Sequence, residues 1–234
     1  DYDLPNDTAY GESCASIGLM MFARRMLEME GDAHYADVME RAFYNTVLGG
    51  MALDGKHFFY VNPLETHPKS IPHNHIYDHI KPVRQRWFGC ACCPPNIART
   101  LVAIGHYLFT PRPDALFINF YAGSEAQFTV NDRTLALKIE GNYPWDERVT
   151  IRFNHPQAVE HTLALRLPEW CEAPRVQVNG EAAQGEIIKG YLHLHRQWQE
   201  GDVVTLYLPM TIRRVYATPL VRHAAGKVAI QRGP

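Results

Sequence analysis

The chain has 234 residues, 46% of them apolar and 21% charged, enough to bury one large core or two modest ones. A net charge of −2 gives no strong field for holding nucleic acid or an anionic membrane. No run reaches the roughly 18 apolar residues of a bilayer span, and the first residues lack the basic stretch and apolar core of a signal peptide.

The chain opens Asp1-Tyr2-Asp3-Leu4 without a Met and closes on a strand-like run into Gly233-Pro234, so both ends are expected to continue in a longer protein. From Ser13 to Met29, Ile17, Met20, Met21, Arg24 and Leu27 recur at steps of three and four, which predicts a helix with Ser13 as its N-cap. Gly31-Asp32 breaks it. A second helix is expected from about Ala33 to Leu48, with Tyr35, Val38, Met39, Ala42, Phe43 and Val47 inward and Gly49-Gly50 as its stop. Asp54-Gly55 predicts a hairpin turn with Lys56 to Val61 as the returning strand. Pro63 to Pro82 carries four Pro and four His without periodicity and reads as a long functional loop. A third helix is expected from Asn96 to about Leu108, with Pro94 and Pro95 on its approach.

From Pro111 the period changes to two. The runs 116–121, 135–139, 149–153, 163–167, 176–178, 191–195 and 203–208 read as strands. Asn131-Asp132, Asn179-Gly180 and Glu200-Gly201-Asp202 supply turns between them. That number and spacing of short strands argues an antiparallel β-sandwich beginning after Thr110. High aromatic content, 12 Tyr and 4 Trp, suits sugar binding and a sandwich core alike.

The densest chemistry is Gly89-Cys90-Ala91-Cys92-Cys93-Pro94-Pro95-Asn96, three thiols in four residues just before a helix. A helix start favours negative charge and lowers a thiol pKa. Alternatively the thiols are buried small hydrophobes. Adjacent Cys92 and Cys93 cannot bridge without severe strain. Five unevenly spread cysteines suit a reducing, cytoplasmic setting or a metal site better than a disulfide framework. Glu12 and Cys14 sit at another helix start, and with Cys92 and Cys93 they offer one carboxylate and three thiolates, a tetrahedral Zn²⁺ set. Nothing in the spacing brings residue 14 to residue 92. His73, His75 and His79 are a second candidate metal cluster.

Tyr2-Asp-Leu-Pro-Asn-Asp7, Tyr10-Gly-Glu-Ser-Cys14, Phe59-Tyr-Val-Asn-Pro-Leu-Glu65 and Trp87-Phe-Gly-Cys-Ala-Cys-Cys-Pro-Pro-Asn96 together resemble glycoside hydrolase family 127, the β-L-arabinofuranosidase family. Asn142-Tyr-Pro-Trp145 and Leu165-Arg-Leu-Pro-Glu-Trp170 extend the likeness more loosely. The resemblance implies an α+β multidomain fold: 1–110 as the C-terminal part of an (α/α)6 barrel, 111–216 as the β-sandwich, and 217–234 as a following strand or linker. It implies Zn²⁺ on Glu12, Cys14, Cys92 and Cys93, Cys92 as nucleophile of a retaining mechanism, and Tyr60 lining the sugar site. No role is implied for Cys90 or Cys171. The family's acid/base is a glutamate in a Gly-Glu-Ser segment shortly before the Tyr-Asp-Leu-Pro-Asn-Asp motif, so it is expected upstream of Asp1, and this chain alone is expected to be inactive.

Expected partners are an oligosaccharide or glycoconjugate, the preceding barrel half and a second copy in a homodimer, with neither nucleic acid nor membrane. Four other readings stay open: attack by Glu12 with structural thiolates, a hydrolase of the same fold for another sugar, a non-catalytic Zn-stabilised carbohydrate-binding protein, and a redox sensor with a reversible Cys92 disulfide.

Overall fold

A computed structural model of the chain describes residues 2–234. The described residues form a mixed α+β structure. Helix α1 (Ser13–Glu30) opens it. Ser13, Ile17, Met20, Ala23 and Leu27 make its buried stripe, none more than 2% exposed. Met21 lies outside that stripe at 44% exposure, because one residue on from Met20 the helix has turned about 100°. Ser13 is not the N-cap. It is the first helical residue, and its buried Oγ has no hydrogen-bond partner.

Helix α2 (Ala33–Arg41) passes into a wider π-helical segment, Ala42–Leu48. Ala36, Met39, Ala42, Phe43 and Val47 are buried, while Tyr35 and Val38 are half-buried. The segment stops at Gly49, where a Cβ would come within 2.1 Å of the Asn45 carbonyl oxygen. The Asp54-Gly55 turn forms as expected, with Ala52 N–H on the His57 carbonyl at 2.8 Å. Its returning strand is reduced to isolated bridges, Phe58 with Met51 and Gln85, and Val61 with Glu12. The Pro63–Pro82 stretch holds only two 3-10 turns, Ile71–His73 and His75–Tyr77.

Helix α3 (Cys93–Val102) begins three residues earlier than the sequence suggests, since both prolines fit its first turn, where no backbone N–H needs a partner. It ends at Ala103, and a short α4 (Gly105–Leu108) follows.

The strands are β1 (Phe109–Pro111), β2 (Ala115–Ile118), β3 (Ser124–Val130), β4 (Arg133–Glu140), β5 (Arg148–Phe153), β6 (Val159–Arg166), β7 (Arg175–Val178), β8 (Glu181–Ala182), β9 (Glu186–Ile188), β10 (Tyr191–Trp198), β11 (Val203–Tyr207), β12 (Arg213–Val215) and β13 (Ala229–Gln231). One sheet runs β1-β2-β6-β10-β9, a second runs β3-β4-β5-β11-β7-β8, and β12 pairs with β13. The turns at Asn131-Asp132, Asn179-Gly180 and Gly201 adopt positive φ. The expectation of a wholly antiparallel arrangement fails at one place: β2 runs parallel to β6, Leu116 opposite Leu163. Rings of the two larger sheets meet where Trp198 stacks on Phe153, centroids 4.4 Å apart.

Two compact units divide the chain: Asp1–Ala23, Val38–Ala103 and Ile212–Gln231 in one, Arg24–Asp37, Ile104–Thr211 and Arg232–Pro234 in the other. Arg24–Asp37 joins the strands through the Asp37–Arg166 ion pair and the Arg112 guanidinium on the Leu27 and Glu28 carbonyls. Ile212–Gln231 joins the first unit through Lys227–Glu65 and the Asn6 amide on the His223 carbonyl. Among the described residues no helix is long and apolar enough to cross a membrane.

Candidate metal centre

The site begins with a glycine. A Cβ on Gly11 would sit 2.6 Å from the Asn62 carbonyl oxygen, so only glycine allows this backbone approach. Asn62 N–H donates to the Gly11 carbonyl at 3.0 Å, and Glu12 bridges Val61. This contact sets Glu12 beside Tyr60. Two residues on, Cys14 lies in the first turn of α1, while Cys92 is the N-cap of α3 and Cys93 its first residue. Two helix starts, 78 residues apart in sequence, thus converge.

Glu12, Cys14, Cys92 and Cys93 bring one donor atom each to within 4.8 Å of one another. Cys14 Sγ lies 2.9 Å from Cys92 Sγ and 4.0 Å from Cys93 Sγ, and Cys92 Sγ lies 3.4 Å from Glu12 Oε1. Metal–sulfur bonds of about 2.3 Å in a tetrahedron put donors about 3.8 Å apart, a value these separations straddle. Cys93 is fully buried, whereas Glu12, Cys14 and Cys92 are half-buried. All five cysteines are free thiols.

The expectation that a helix start lowers the thiol pKa does not describe Cys92. Its hydrogen bond with Cys14 and then its burial push it up to about 11, with the Tyr60 hydroxyl pulling the other way. Burial, then the neighbouring Cys14, raises Cys93 further still. Burial first, and then the nearby Cys92 thiol, raise Tyr60 as well. Three soft sulfurs and one carboxylate with no positive partner are the donor set that a divalent cation neutralises, and their number and spacing fit one tetrahedral ion. Among the described residues this is the one group of three or more potential ligands so assembled.

His73, His75 and His79 do not form a second such group. His73 and His75 are exposed. His79 turns to aromatic partners, stacking on Tyr60 with centroids 4.4 Å apart and meeting the Tyr10 hydroxyl at 2.6 Å. Phe88 backs both rings. The sequence reading missed His79, Tyr10 and Phe88 as neighbours of the site; its signal for them was only that Tyr10 and Phe88 fall inside the two cysteine-bearing motifs. Cys90 is exposed and faces Tyr60. Cys171 is buried in the strand-rich unit.

The family model described as β-L-arabinofuranosidase, GH127 catalytic domain, matches residues 1–106, and the GH127 middle-domain model matches 115–210. A non-reducing end β-L-arabinofuranosidase of Bifidobacterium longum subsp. longum is 38% identical over the whole chain, which spans 36% of that protein. The crystal structure of a GH127 β-L-arabinofuranosidase from Geobacillus stearothermophilus T6 is similar at 54% identity and a TM-score of 0.93, covering all of this chain and 37% of its own. A structure described as a glycoside hydrolase follows at 38% identity and 0.90, with all of this chain and 38% of its own covered. The chain therefore spans little more than a third of the length of these relatives. Two family models, in order along the chain and covering most of it, and structural agreement over its whole length make the chain a member of glycoside hydrolase family 127.

Proposed function

We propose that the protein is a retaining glycosidase that removes terminal β-L-arabinofuranosyl residues from an oligosaccharide or glycoconjugate, with Cys92 as nucleophile and Zn²⁺ on Glu12, Cys14, Cys92 and Cys93. The observation that carries this reading is the convergence of three thiol sulfurs and a carboxylate oxygen within 4.8 Å. The names of the relatives support the sugar. When bound, Zn²⁺ strips the proton from a coordinating thiol and keeps it a thiolate near neutral pH.

The residues of the chain divide the remaining work. Cys93 is sealed off and anchors, while Cys92 is half-open and can meet a sugar. Its thiolate attacks the anomeric carbon, a C–S bond forms, and the bond to the leaving oxygen breaks. Water then cleaves the C–S bond and returns the thiolate. Tyr60, whose hydroxyl faces Cys92, lines the sugar site. The leaving oxygen needs a proton from an acid roughly 5 Å from the nucleophile. Glu65 is a poor donor, because Lys227 at 2.5 Å holds its carboxyl below the usual range and so ionised. We assign that acid to the glutamate expected upstream of Asp1. In this reading, 1–110 closes an (α/α)6 barrel, the two larger sheets of 111–216 face each other as a β-sandwich, and 217–234 leads onward.

The test uses the full-length protein and a mechanism-based furanosyl inhibitor, followed by peptide mass mapping. A label on Cys92, one Zn²⁺ per chain lost in Cys93→Ser, and turnover at least about 10²-fold slower in Cys92→Ser are expected. A label on Glu12 instead would make the thiolates structural.

A further inference from the structure

The long loop from Pro63 to Pro82 is tied down at its far end. The Tyr77 hydroxyl donates to Asp7 Oδ2 at 2.7 Å, Ile80 is buried, and the Ile80 N–H closes on the Tyr77 carbonyl at 2.9 Å. These anchors bracket His79. Its ring lies nearly parallel to that of Tyr60, centroids 4.4 Å apart with 27° between planes. Its Nδ1 meets the Tyr10 hydroxyl at 2.6 Å, and Tyr10 stands two residues before Glu12. Phe88 packs on Tyr60 at 5.5 Å and edge-on to His79 at 6.5 Å, with Phe58 behind it at 5.1 Å. The Tyr60 carbonyl accepts from the Cys93 thiol at 3.9 Å, and its hydroxyl, at the end of this stack, faces the Cys92 and Cys90 thiols.

We propose that His79 is a positioning residue that holds the Tyr60 ring so that its hydroxyl stays against Cys92. A tyrosine side chain turns about two bonds. His79 covers one face of the ring, Phe88 packs beside it at a tilt, and the hydrogen bond to Tyr10 keeps the imidazole from rotating away. The loop is the device that brings His79 there, since no regular element supplies a ring at that point. The role of Cys92 comes from the function proposed above, on which this inference rests, whereas the clamp on Tyr60 is a matter of contacts and can be tested by itself.

The experiment uses the full-length protein with His79→Ala, His79→Phe, which keeps the stack, and Tyr10→Phe, which removes the hydrogen bond. Tyr60 accessibility is read by O-acetylation with N-acetylimidazole and peptide mass mapping, against exposed Tyr2. kcat and KM are read on an aryl β-L-arabinofuranoside. His79→Ala should raise Tyr60 acetylation relative to Tyr2 and lower kcat about five- to tenfold with KM changed less than about threefold, the factor one ring stack and one hydrogen bond supply. His79→Phe should recover most of both, and Tyr10→Phe should show a smaller effect in the same direction. Bound metal should be unchanged throughout. If His79→Ala folds and leaves Tyr60 as protected as before, the proposal is overturned; if it fails to fold, Tyr10→Phe and His79→Phe decide, and a ring variant with an exposed Tyr60 overturns it equally. Wild-type protein without arabinofuranosidase activity would sink the proposed function, while the acetylation ratio would still decide the role of His79.

Discussion

Replacing Asp37 with Ala should cost far more than replacing a surface acid. Asp37 Oδ1 meets the Arg166 guanidinium at 2.5 Å, with the arginine side chain wholly buried and the aspartate 7% exposed. Arg166 Nε also donates to the Asn119 carbonyl, and Asn119 Oδ1 accepts from the Tyr191 hydroxyl, so the pair belongs to a buried polar network. Without Asp37 the guanidinium loses its nearest anion in a place water does not reach. Breaking such a pair from one side costs about 3–5 kcal/mol, against about 0–1 for an exposed pair. At roughly 2–4 °C per kcal/mol for a chain of this size, Tm should fall by about 6–20 °C. Thermal melts followed by circular dichroism read this directly. Asp37→Leu combined with Arg166→Met should cost less than Asp37→Ala, because the pair leaves together and packing replaces it. Bound metal should stay constant, since both residues belong to the unit without the cysteine cluster. A fall in Tm below about 2 °C for Asp37→Ala would mean that another group already compensates Arg166, and the reasoning from burial would fail.

Three further outcomes are expected. Gly11→Ala forces a Cβ against the Asn62 carbonyl oxygen at 2.6 Å; it should cost about 1–3 kcal/mol and weaken metal binding by displacing Glu12, as read by competition with a chromophoric chelator. Removing the metal should lower Tm, since an ion present at about 1,000 times its Kd contributes about 4 kcal/mol, and identical melts with and without chelator would argue against the centre. Glu147 is held below the usual carboxyl range by the Tyr207 hydroxyl first and the Met210 N–H next. Its folded pKa lies below the unfolded value of about 4.3, so its contribution is present above that value and lost as pH falls through the folded one. The gap in Tm between wild type and Glu147→Gln should therefore narrow between pH 6 and pH 3 in a series of melts.

Local pattern made some of this structure legible and withheld the rest for physical reasons. Seven runs correspond to β2, β4, β5, β6, β7, β10 and β11, because a strand buried on one face writes its period into the sequence and β2, buried at every position, reads as an unbroken apolar run. Strand β3 is not legible: Ser-Glu-Ala-Gln-Phe-Thr-Val does alternate in burial, but its inner positions before Val130 are only half-buried and include a serine, so hydrophobicity barely alternates. Nothing in β2 or β6 alone states that they run parallel, since direction belongs to the pair. The start of α3 was misjudged because two prolines look like a boundary when they also suit a first turn. The sequence offers His79 as a metal ligand and not as a ring partner for a related reason: Tyr10 and Tyr60 are 69 and 19 residues away, and only the folded loop brings them together.

The metal centre shows the same division and adds a question of magnitude. That Cys14 and Cys92 both open helices was readable, but their meeting depends on the Gly11–Asn62 backbone contact, which no spacing announces. Two helix starts aimed at one cluster would be expected to favour thiolates. Each is worth about 0.3–1 kcal/mol, less than a tenfold change in acidity. Against that stand a thiol contact at 2.9 Å and burial, which together carry Cys92 from 9.0 to about 11. The short contact wins, so the backbone alone does not ready this sulfur for attack near neutral pH. A divalent cation held by these four donors would supply two full positive charges beside the sulfur and would exceed both effects. Under the function proposed above, reactivity at Cys92 would be conditional on a divalent cation held by Glu12, Cys14 and buried Cys93, which would ionise the sulfur and also restrain it. In the same proposal Tyr60 would serve as a second, neutral donor to the sulfur, its own pKa raised so that it keeps its proton.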